Sequence, residues 1–209
     1  RKIFLDLHPE LSRYDGIYRT ITDKGGHRNI HGLFAEGDFA VKEMMRQGMI
    51  IDVDHASEKS VSDMLRIAMR NDYPVNSGHN GLRSSNASER ERTTGQLDTI
   101  RTLGGMMGIG WEEQTPNQFT TIYGRHLGAM GNRNTTFGSD INGYASTPKK
   151  PTSPAGFVNY TNPSNTITYL TPYTMPGSSR VWDYNTGGMA HIGMVPDFFQ
   201  AIHAAGMSK

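Results

Sequence analysis

Four short apolar runs in this sequence are each followed by a histidine or an aspartate. The polar residue comes within three positions of the run: His8 after 3–7, His55 after 49–53, His79 after 74–76, and Asp140 after 135–138. Ligands of parallel α/β folds bind at the carboxyl ends of strands, so strands of one sheet would bring these side chains to the same face. Imidazoles with a carboxylate are typical ligands of zinc or a similar divalent ion. One such histidine is explained more simply as a hydrogen-bonded loop residue, but four such positions in succession favour a metal site.

The composition limits which other chemistry the chain can perform. It contains no cysteine, which excludes disulfides, thiolate metal sites and a cysteine nucleophile but does not choose a cellular compartment. Lysine and arginine number 21 against 20 aspartates and glutamates, so no net charge argues for nucleic acid or an anionic membrane as a partner. No apolar run approaches the ~18 residues that indicate a membrane-spanning helix. A transition-metal site in this chain must therefore use imidazole and carboxylate ligands.

Helical patterns separate the apolar runs and would position the residues between them. The first helix is predicted from about Asp38, an N-cap candidate, to Gln47, with Gly48 as its C-terminal stop. Thr93 and Gln96 form a capping box ahead of another helix. The most regular pattern places five apolar residues at helical spacing: Val61, Met64, Leu65, Ala68 and Met69.

The alternation of strands with helices predicts the fold class. A fifth strand is predicted at 106–109, and we expect the five strands to be adjacent in chain order. Strand ends lie roughly 25 to 45 residues apart, the length of one βαβ unit, which indicates a parallel sheet covered by helices. Because the runs are apolar rather than alternating, we expect strands that are buried on both faces. The pattern is compatible with an open doubly wound sheet and with a barrel.

The segment 144–186 differs in character from the rest of the chain. It is rich in Pro, Thr, Ser, Asn, Tyr and Gly and has almost no helical period. Its aromatic residues argue against disorder, so we predict a long ordered loop over the active-site end of one domain that spans 1–209. Helices are predicted on either side of this segment, at 118–130 and 195–205, and His126 on the first of them is expected to face solvent.

Five segments, in this order, resemble the membrane dipeptidase (renal dipeptidase, peptidase M19) family. They are IFLDLH (3–8), GMIIDVDHAS (48–57), YPVNSGHNG (73–81), SERERTTGQLDTIRTLGGMMGIG (88–110) and TFGSDINGYA (136–145). The resemblance is weaker beyond 145, where DYNTGGMAHIGMVPDFF (183–199) is more similar to the larger bacterial relatives of the family. It implies the C-terminal portion, about five strands, of a TIM-type (β/α)8 metallohydrolase barrel.

The same resemblance implies a zinc-dependent hydrolase of dipeptides or similar small amides, with one or two zinc ions. Carried over to this sequence, His55 and His79 would bind one zinc ion. Asp140 would handle the proton of the attacking water or orient that water. Arg90 would bind the substrate carboxylate, and His8 would polarise the scissile carbonyl or its tetrahedral oxyanion.

The sequence departs from the family pattern in two places. The His-x-Asp pair of the family's first strand and the bridging glutamate of its third have no counterpart here and would lie before Arg1. We therefore interpret the chain as part of a longer protein and expect it to be inactive alone, because catalytic zinc normally takes three protein ligands. Asp54 stands where the family often has Ser or Ala, and is either a partner of the metal histidine or an extra ligand. Counting back from Gln96 favours Arg90 over Arg92 as the carboxylate-binding residue.

Two other functions stay open at the level of sequence. One is a metal-dependent barrel hydrolase with a different substrate, because this fold hosts many chemistries. The other is a non-catalytic binding protein that kept the fold without the ligands of the first strand. The expected partner is a small-molecule substrate, with no nucleic acid and no membrane segment in this chain. A homo-oligomer is compatible with the sequence.

Overall fold

The computed structural model describes residues 18–20, 27–83, 88–110, 114–141, 147–161 and 172–207. The chain divides into two compact units, one of residues 1–108 with 129–136 and the other of 109–128 with 137–209. Each unit has its own hydrophobic core. The expectation of one domain over 1–209 stays a prediction. Within the described stretches, no helix is long and apolar enough to cross a membrane.

The described part of the chain begins with two strands and two helices, and strands alternate with helices, as expected, from 76 to 137. The first are β1 (Tyr18–Thr20), β2 (His27–Asn29), α1 (Ala35–Arg46), α2 (Glu58–Arg70), β3 (Asn76–Ser77), α3 (Thr94–Thr102), β4 (Met106–Ile109), α4 (Pro116–Ala129) and β5 (Thr135–Phe137). A short 3-10 helix (Pro154–Gly156), β6 (Tyr173–Thr174), β7 (Val181–Trp182), α5 (Tyr184–Gly187), a second 3-10 helix (Ile192–Met194) and α6 (Val195–Ala204) follow.

A parallel sheet of strand order β3-β4-β5 positions the candidate residues. Asn76 pairs in parallel with Met106, and Ser77 with Met107. On the other side of β3, Asp52 forms an isolated parallel bridge with Asn76. The prediction of neighbouring runs in chain order is therefore confirmed for the four runs that the structure describes. The run 49–53 contributes one bridge rather than a full strand, and the predicted strand 3–7 lies outside the described residues.

The expectation of strands buried on both faces is wrong for the described part of the sheet. Ile51 and Val53 are buried, whereas Ile50, the residue directly before Ile51, is 82% exposed. On β4, Met107 is buried while Met106 is 47% exposed. Side chains alternate between the two faces of a strand, and the helices of this unit cover one of those faces. The other face carries Ile50 and Met106 despite their apolar character.

Capping residues set the ends of the helices. The capping box of Thr93 and Gln96 is formed as predicted, with each side chain accepting a hydrogen bond from the other residue's backbone N–H. Gly48 follows the end of α1 with a φ of +69°, a conformation that favours glycine. The assignment of Asp38 as an N-cap is wrong, because α1 begins at Ala35 and Asp38 lies within its first turn.

The core of the first unit forms where α1, α2 and α3 pack on the sheet. The predicted apolar face of α2 is mostly buried, but Met69 is 49% exposed and Ile67 is buried in its place. The core residues are Val41, Ile51, Val53, Val61, Met64, Leu65, Ile67, Ala68, Val75, Leu97, Ile100, Leu103, Met107 and Met130.

The core of the second unit ties the segment 144–186 to the last helix. Tyr160 donates a hydrogen bond to Asp197 Oδ1 at 2.7 Å and accepts one from the backbone N–H of Tyr184 at 3.0 Å. Tyr184 is fully buried in this core. The described parts of the segment are therefore held by specific contacts within the second unit. That the segment covers an active site stays a prediction.

His126 contradicts its predicted exposure. Its ring is buried in α4, and Nδ1 lies 2.6 Å from the backbone oxygen of Ile122 one turn earlier. Burial lowers the pKa of His126, and this effect outweighs the hydrogen bond to Ile122, which raises it. The apolar pattern of the helix does not predict this burial. A buried histidine can form its hydrogen bond with a backbone oxygen of its own helix, which leaves no signal in the sequence pattern.

We expect His126→Leu to reduce the loss of stability on acidification. A folded-state pKa below the unfolded value of ~6.5 means that the unfolded chain takes up the proton first, so native stability is full above that pH and falls below it. The measurement is the free energy of unfolding in urea at about pH 8 and about pH 5. An equal fall in both proteins would show that His126 does not contribute to acid sensitivity.

Candidate metal centre

Two neighbouring backbone segments place the two candidate metal histidines. The N–H of Val53 donates to the oxygen of Asn76 at 2.8 Å, and the N–H of Asn76 donates to the oxygen of Ile51 at 2.8 Å. His55 and His79 follow these segments at their carboxyl ends, on loops that start side by side. The sequence prediction that parallel strands deliver both histidines to one edge of the sheet matches this arrangement.

Asp52 joins the two loops. Its Oδ1 accepts a hydrogen bond from the N–H of Asp54 at 2.9 Å, within its own loop. Its Oδ2 accepts one from the Asn76 side-chain amide at 2.7 Å, across to the neighbouring strand. One carboxylate thus shapes the turn before His55 and holds it to the strand that leads to His79.

The next strand approaches the loop so closely that only glycine fits. A Cβ added at Gly108 on β4 would lie 1.7 Å from the backbone oxygen of Gly78. A Cβ at Gly78 would lie 2.5 Å from Asp52 Oδ2. These two glycines therefore allow β4, the His79 loop and the Asp52 carboxylate to pack against one another without side chains between them.

The two imidazoles converge on one point. Nε2 of His55 lies 2.8 Å from Nε2 of His79, with ring centroids 4.8 Å apart and ring planes 47° apart. His55 is exposed and holds a φ of +61°, a left-handed conformation that is uncommon outside glycine, Asn, Asp and His. His79 is more enclosed, with its side chain 23% exposed. The left-handed backbone at His55 and the contact between the two rings thus occur at the same residue.

This nitrogen pair fits two ligands of a divalent transition metal. Zinc bonds imidazole nitrogen at about 2.0–2.1 Å, so two tetrahedral nitrogen ligands lie ~3.3 Å apart. The observed separation of 2.8 Å requires the rings to part by only a few tenths of an ångström. Among the described residues, no group of three or more His, Cys, Asp or Glu side chains is arranged to hold a metal ion. The described residues thus offer a pair of ligands.

Asp54 lies behind His79, away from the nitrogen pair. Its side chain is 4% exposed, and its Oδ2 is 3.2 Å from Nδ1 of His79. The same carboxylate accepts hydrogen bonds from the Ser77 hydroxyl at 2.5 Å and from the N–H of His79 at 2.5 Å. The N–H of Asn80 donates to it as well, at 3.1 Å. A carboxylate in this position touches His79 from the side opposite to the ring nitrogen that faces His55.

The two candidate arginines have different environments. Arg90 is exposed, as a residue that meets a substrate must be. Arg92 is fully buried, and one nitrogen of its guanidinium donates to the backbone oxygens of Arg90 and Glu89. Within the described part of the chain, Nε and Nη1 of Arg92 have no hydrogen-bond partner. Burial lowers the pKa of Arg92, and the nearby carboxylate of Asp54 opposes this effect.

Glu58, at the start of α2, holds the surrounding loops in place. Its carboxylate forms ion pairs with Arg28 and with Arg83, the latter at 2.8 Å. Glu89 accepts hydrogen bonds from the backbone N–H groups of Asn29 and Glu58. These contacts join the hairpin β1-β2, the start of α2 and the residues after His79 into one network within the first unit.

Asp140 and His8 are the remaining predicted site residues. Asp140 belongs to the second unit, three residues after β5, where it is exposed and has a φ of +46°. Its approach to the histidine pair stays a prediction. His8 lies outside the described residues, and so do Asn142 and Gly143, which follow Asp140 in the motif.

The sequence pattern alone did not identify Asp52, Ser77 and Glu58 as parts of the site. Asp52 carried a signal, since it is a charged residue inside an otherwise apolar run. Ser77 and Glu58 carried none, because a serine in a strand and a glutamate in the first turn of a helix are both common. Their roles depend on partners that are 23 or more residues away in the chain.

Three solved structures are similar to this chain. A dipeptidase AC, described as a metallopeptidase of family M19, matches at 24% identity and a TM-score of 0.49, over 59% of this chain and 37% of that chain. A metallopeptidase from Rhodobacter sphaeroides, solved with a phosphinate mimic of the dipeptide L-Ala-D-Ala, matches with the same identity, coverage and TM-score. An amidohydrolase from Pseudomonas aeruginosa matches at 16% identity and a TM-score of 0.53, over 93% of this chain and 55% of that chain.

The match to the amidohydrolase shows a shared fold. This chain spans well under two thirds of each of the three structures. No curated protein matches the chain in sequence. The family model described as membrane dipeptidase (peptidase family M19) matches residues 19–152, which is well over half of the 209 residues. The chain therefore belongs to the membrane dipeptidase family.

Proposed function

We propose that this chain carries part of the active site of a metal-dependent hydrolase that cleaves dipeptides or similar small amides. The observation that carries the proposal is the convergence of His55 and His79 Nε2 atoms, 2.8 Å apart, at the ends of adjacent parallel segments. Family membership supports the reaction class. The strands would form about five of the eight of a TIM-type barrel, whose active sites lie at the carboxyl ends of the strands.

His55 and His79 would bind one metal ion, for which we propose zinc. Zinc in such a site supplies a bound water of lowered pKa and polarises the amide carbonyl. Two imidazoles are fewer than the three protein ligands that catalytic zinc normally has, so we infer that further ligands complete the site in the intact protein. The contacts of Asp52 and Asp54 join the two loops that carry the histidines, which would orient both rings in the metal-free protein.

Arg90 would bind the carboxylate of the substrate. An arginine binds a carboxylate through two parallel hydrogen bonds, which fixes the position of a dipeptide as well as its charge. Arg90 is exposed and follows Glu89, which is anchored to the backbone of Asn29 and Glu58. Arg92 already donates to the backbone of this same turn and is closed off from solvent. The accessible residue is the better candidate for a substrate contact.

Asp140 would accept the proton of the attacking water, and His8 would stabilise the oxyanion. A carboxylate within hydrogen-bond reach of the water performs this task as a general base. An amidohydrolase with another substrate is the competing function, and the likeness to the Pseudomonas aeruginosa protein does not choose between substrates because it shows the fold alone.

We expect His55→Ala and His79→Ala each to abolish tight zinc binding by the intact protein. Loss of a direct ligand should weaken affinity by more than the ~10–100-fold that loss of an outer partner costs. The measurement is zinc competition against a chelator. His31→Ala, which removes an exposed histidine of the same unit, serves as the control. Affinity like that of the control in both variants would reject the histidine pair as a metal site.

We expect Arg90→Met to raise KM for a dipeptide while kcat changes little. Hydrogen bonds to a charged group contribute about 1.5–3 kcal/mol, which corresponds to an increase of about 10- to 140-fold. Arg70→Met, which removes an exposed arginine of the same unit, is the control for the loss of a charge. If Arg92→Met raises KM and Arg90→Met does not, the carboxylate is bound by Arg92 instead.

We expect Asp140→Asn to reduce kcat by roughly 10²–10⁴-fold, the usual contribution of a general acid or base. Asparagine tolerates the left-handed backbone found at this position, so the melting temperature should be unchanged. Asp98→Asn, which removes an exposed carboxylate on α3, is the control for a change of charge. Activity near that of the unmodified protein would reassign Asp140 to a structural role.

A further inference from the structure

We propose that Asp54 is a positioning residue that holds His79 in the tautomer with hydrogen on Nδ1, which leaves the lone pair of Nε2 directed at the metal position. The inference rests on the proposed function, and it assigns a role to the position at which this chain departs from the family's usual Ser or Ala. It also decides between the two roles that the sequence left open for this carboxylate.

The contacts of Asp54 argue against a direct role as a ligand. The side chain is 4% exposed, and its oxygens receive the Ser77 hydroxyl and the backbone N–H groups of His79 and Asn80. All of these donors belong to the loop that carries His79. A carboxylate whose oxygens are turned into one loop is not free to reach a metal ion on the far side of the imidazole ring.

The same contacts determine which ring nitrogen of His79 bears the hydrogen. Oδ2 of Asp54 lies 3.2 Å from Nδ1 of His79, and a carboxylate only accepts hydrogen bonds. With its hydrogen on Nδ1, the neutral ring presents an N–H bond to this negative charge, whereas with hydrogen on Nε2 it would present a lone pair to it. Nε2 then carries a lone pair, which is the form that binds a metal ion. The carboxylate thus contacts one ring nitrogen of His79, and the metal position lies at the other.

The contact between the two Nε2 atoms then determines the tautomer of His55 as well. With a lone pair on Nε2 of His79, the 2.8 Å contact requires the hydrogen to be on Nε2 of His55. The metal-free protein should therefore hold the two histidines in opposite tautomers, His79 with hydrogen on Nδ1 and His55 with hydrogen on Nε2. If the carboxylate had only a structural role, its removal would not change the tautomer of either ring.

The buried Arg92 is a further group that Asp54 influences. Burial lowers the pKa of Arg92, and the negative charge of Asp54 opposes that effect. Serine or alanine at position 54 would leave the guanidinium without this neighbour. Removal of Asp54 should therefore lower stability as well, and a loss of activity alone would not identify its role.

The test combines tautomer and affinity measurements on the intact protein. Long-range 1H–15N correlation spectra of the histidine rings, recorded without metal at about pH 8.5, report which nitrogen bears the hydrogen. We expect opposite tautomers in the unmodified protein and loss of the Nδ1-protonated form of His79 in Asp54→Ala. Zinc affinity should fall about 10- to 100-fold in that variant. Asp54→Asn, which keeps the size and one acceptor oxygen, should give an intermediate affinity if Asp54→Ala does not fold.

The control is Asp98→Ala, which removes an exposed carboxylate paired with Arg101 on α3. It should change neither the tautomers nor the zinc affinity. Hydrogen on Nε2 of His79 in the unmodified metal-free protein would overturn the proposal, and so would a tautomer that Asp54→Ala and Asp54→Asn leave unchanged. Absence of zinc binding in the unmodified protein would instead refute the proposed function, because the tautomers are measured without metal.

Discussion

The parallel pairing between residues 51–53 and β3 is the constraint on which the histidine pair depends. Two backbone hydrogen bonds to Asn76 hold these segments side by side, at the spacing of ~4.8 Å between neighbouring strands. The loops that leave their carboxyl ends therefore start close together, and each needs only a few residues to bring its imidazole to the other. The left-handed backbone at His55 completes the approach from one side.

Two carboxylates of the same short loop divide the work of holding this arrangement. Asp52, on the exposed face of the sheet, binds the turn before His55 to the Asn76 side chain. Asp54, on the opposite side of the backbone, is buried and binds the loop of His79. Successive residues of an extended chain point to opposite faces, so Asp52 and Asp54, two positions apart, would lie on one face of a regular strand. The turn between them allows the two carboxylates to have different roles.

Two acidic residues of the first unit, Glu58 and Asp54, lie near three of its arginines. Glu58 is shared by Arg28 and Arg83, and Asp54 lies near Arg92. Partly buried ion pairs such as those of Glu58 are poor evidence for stability, since desolvation offsets much of the attraction. Their effect is to hold loops in one conformation, and a site that must present two nitrogens to one ion depends on such rigidity.

The sequence by itself determined the parallel order of the described runs, the capping box at Thr93 and the position of both histidines after apolar runs. These features depend on neighbouring residues and on the rule that parallel strands end at one edge, so a local pattern is enough to predict them. Only the tertiary structure decided that Asp54 faces Nδ1 of His79, that Arg92 is buried while Arg90 is exposed, that His126 lies inside and that one sheet face is open. Those outcomes depend on which distant segments pack together, and an interaction between residues far apart in the chain leaves no periodic trace in either segment.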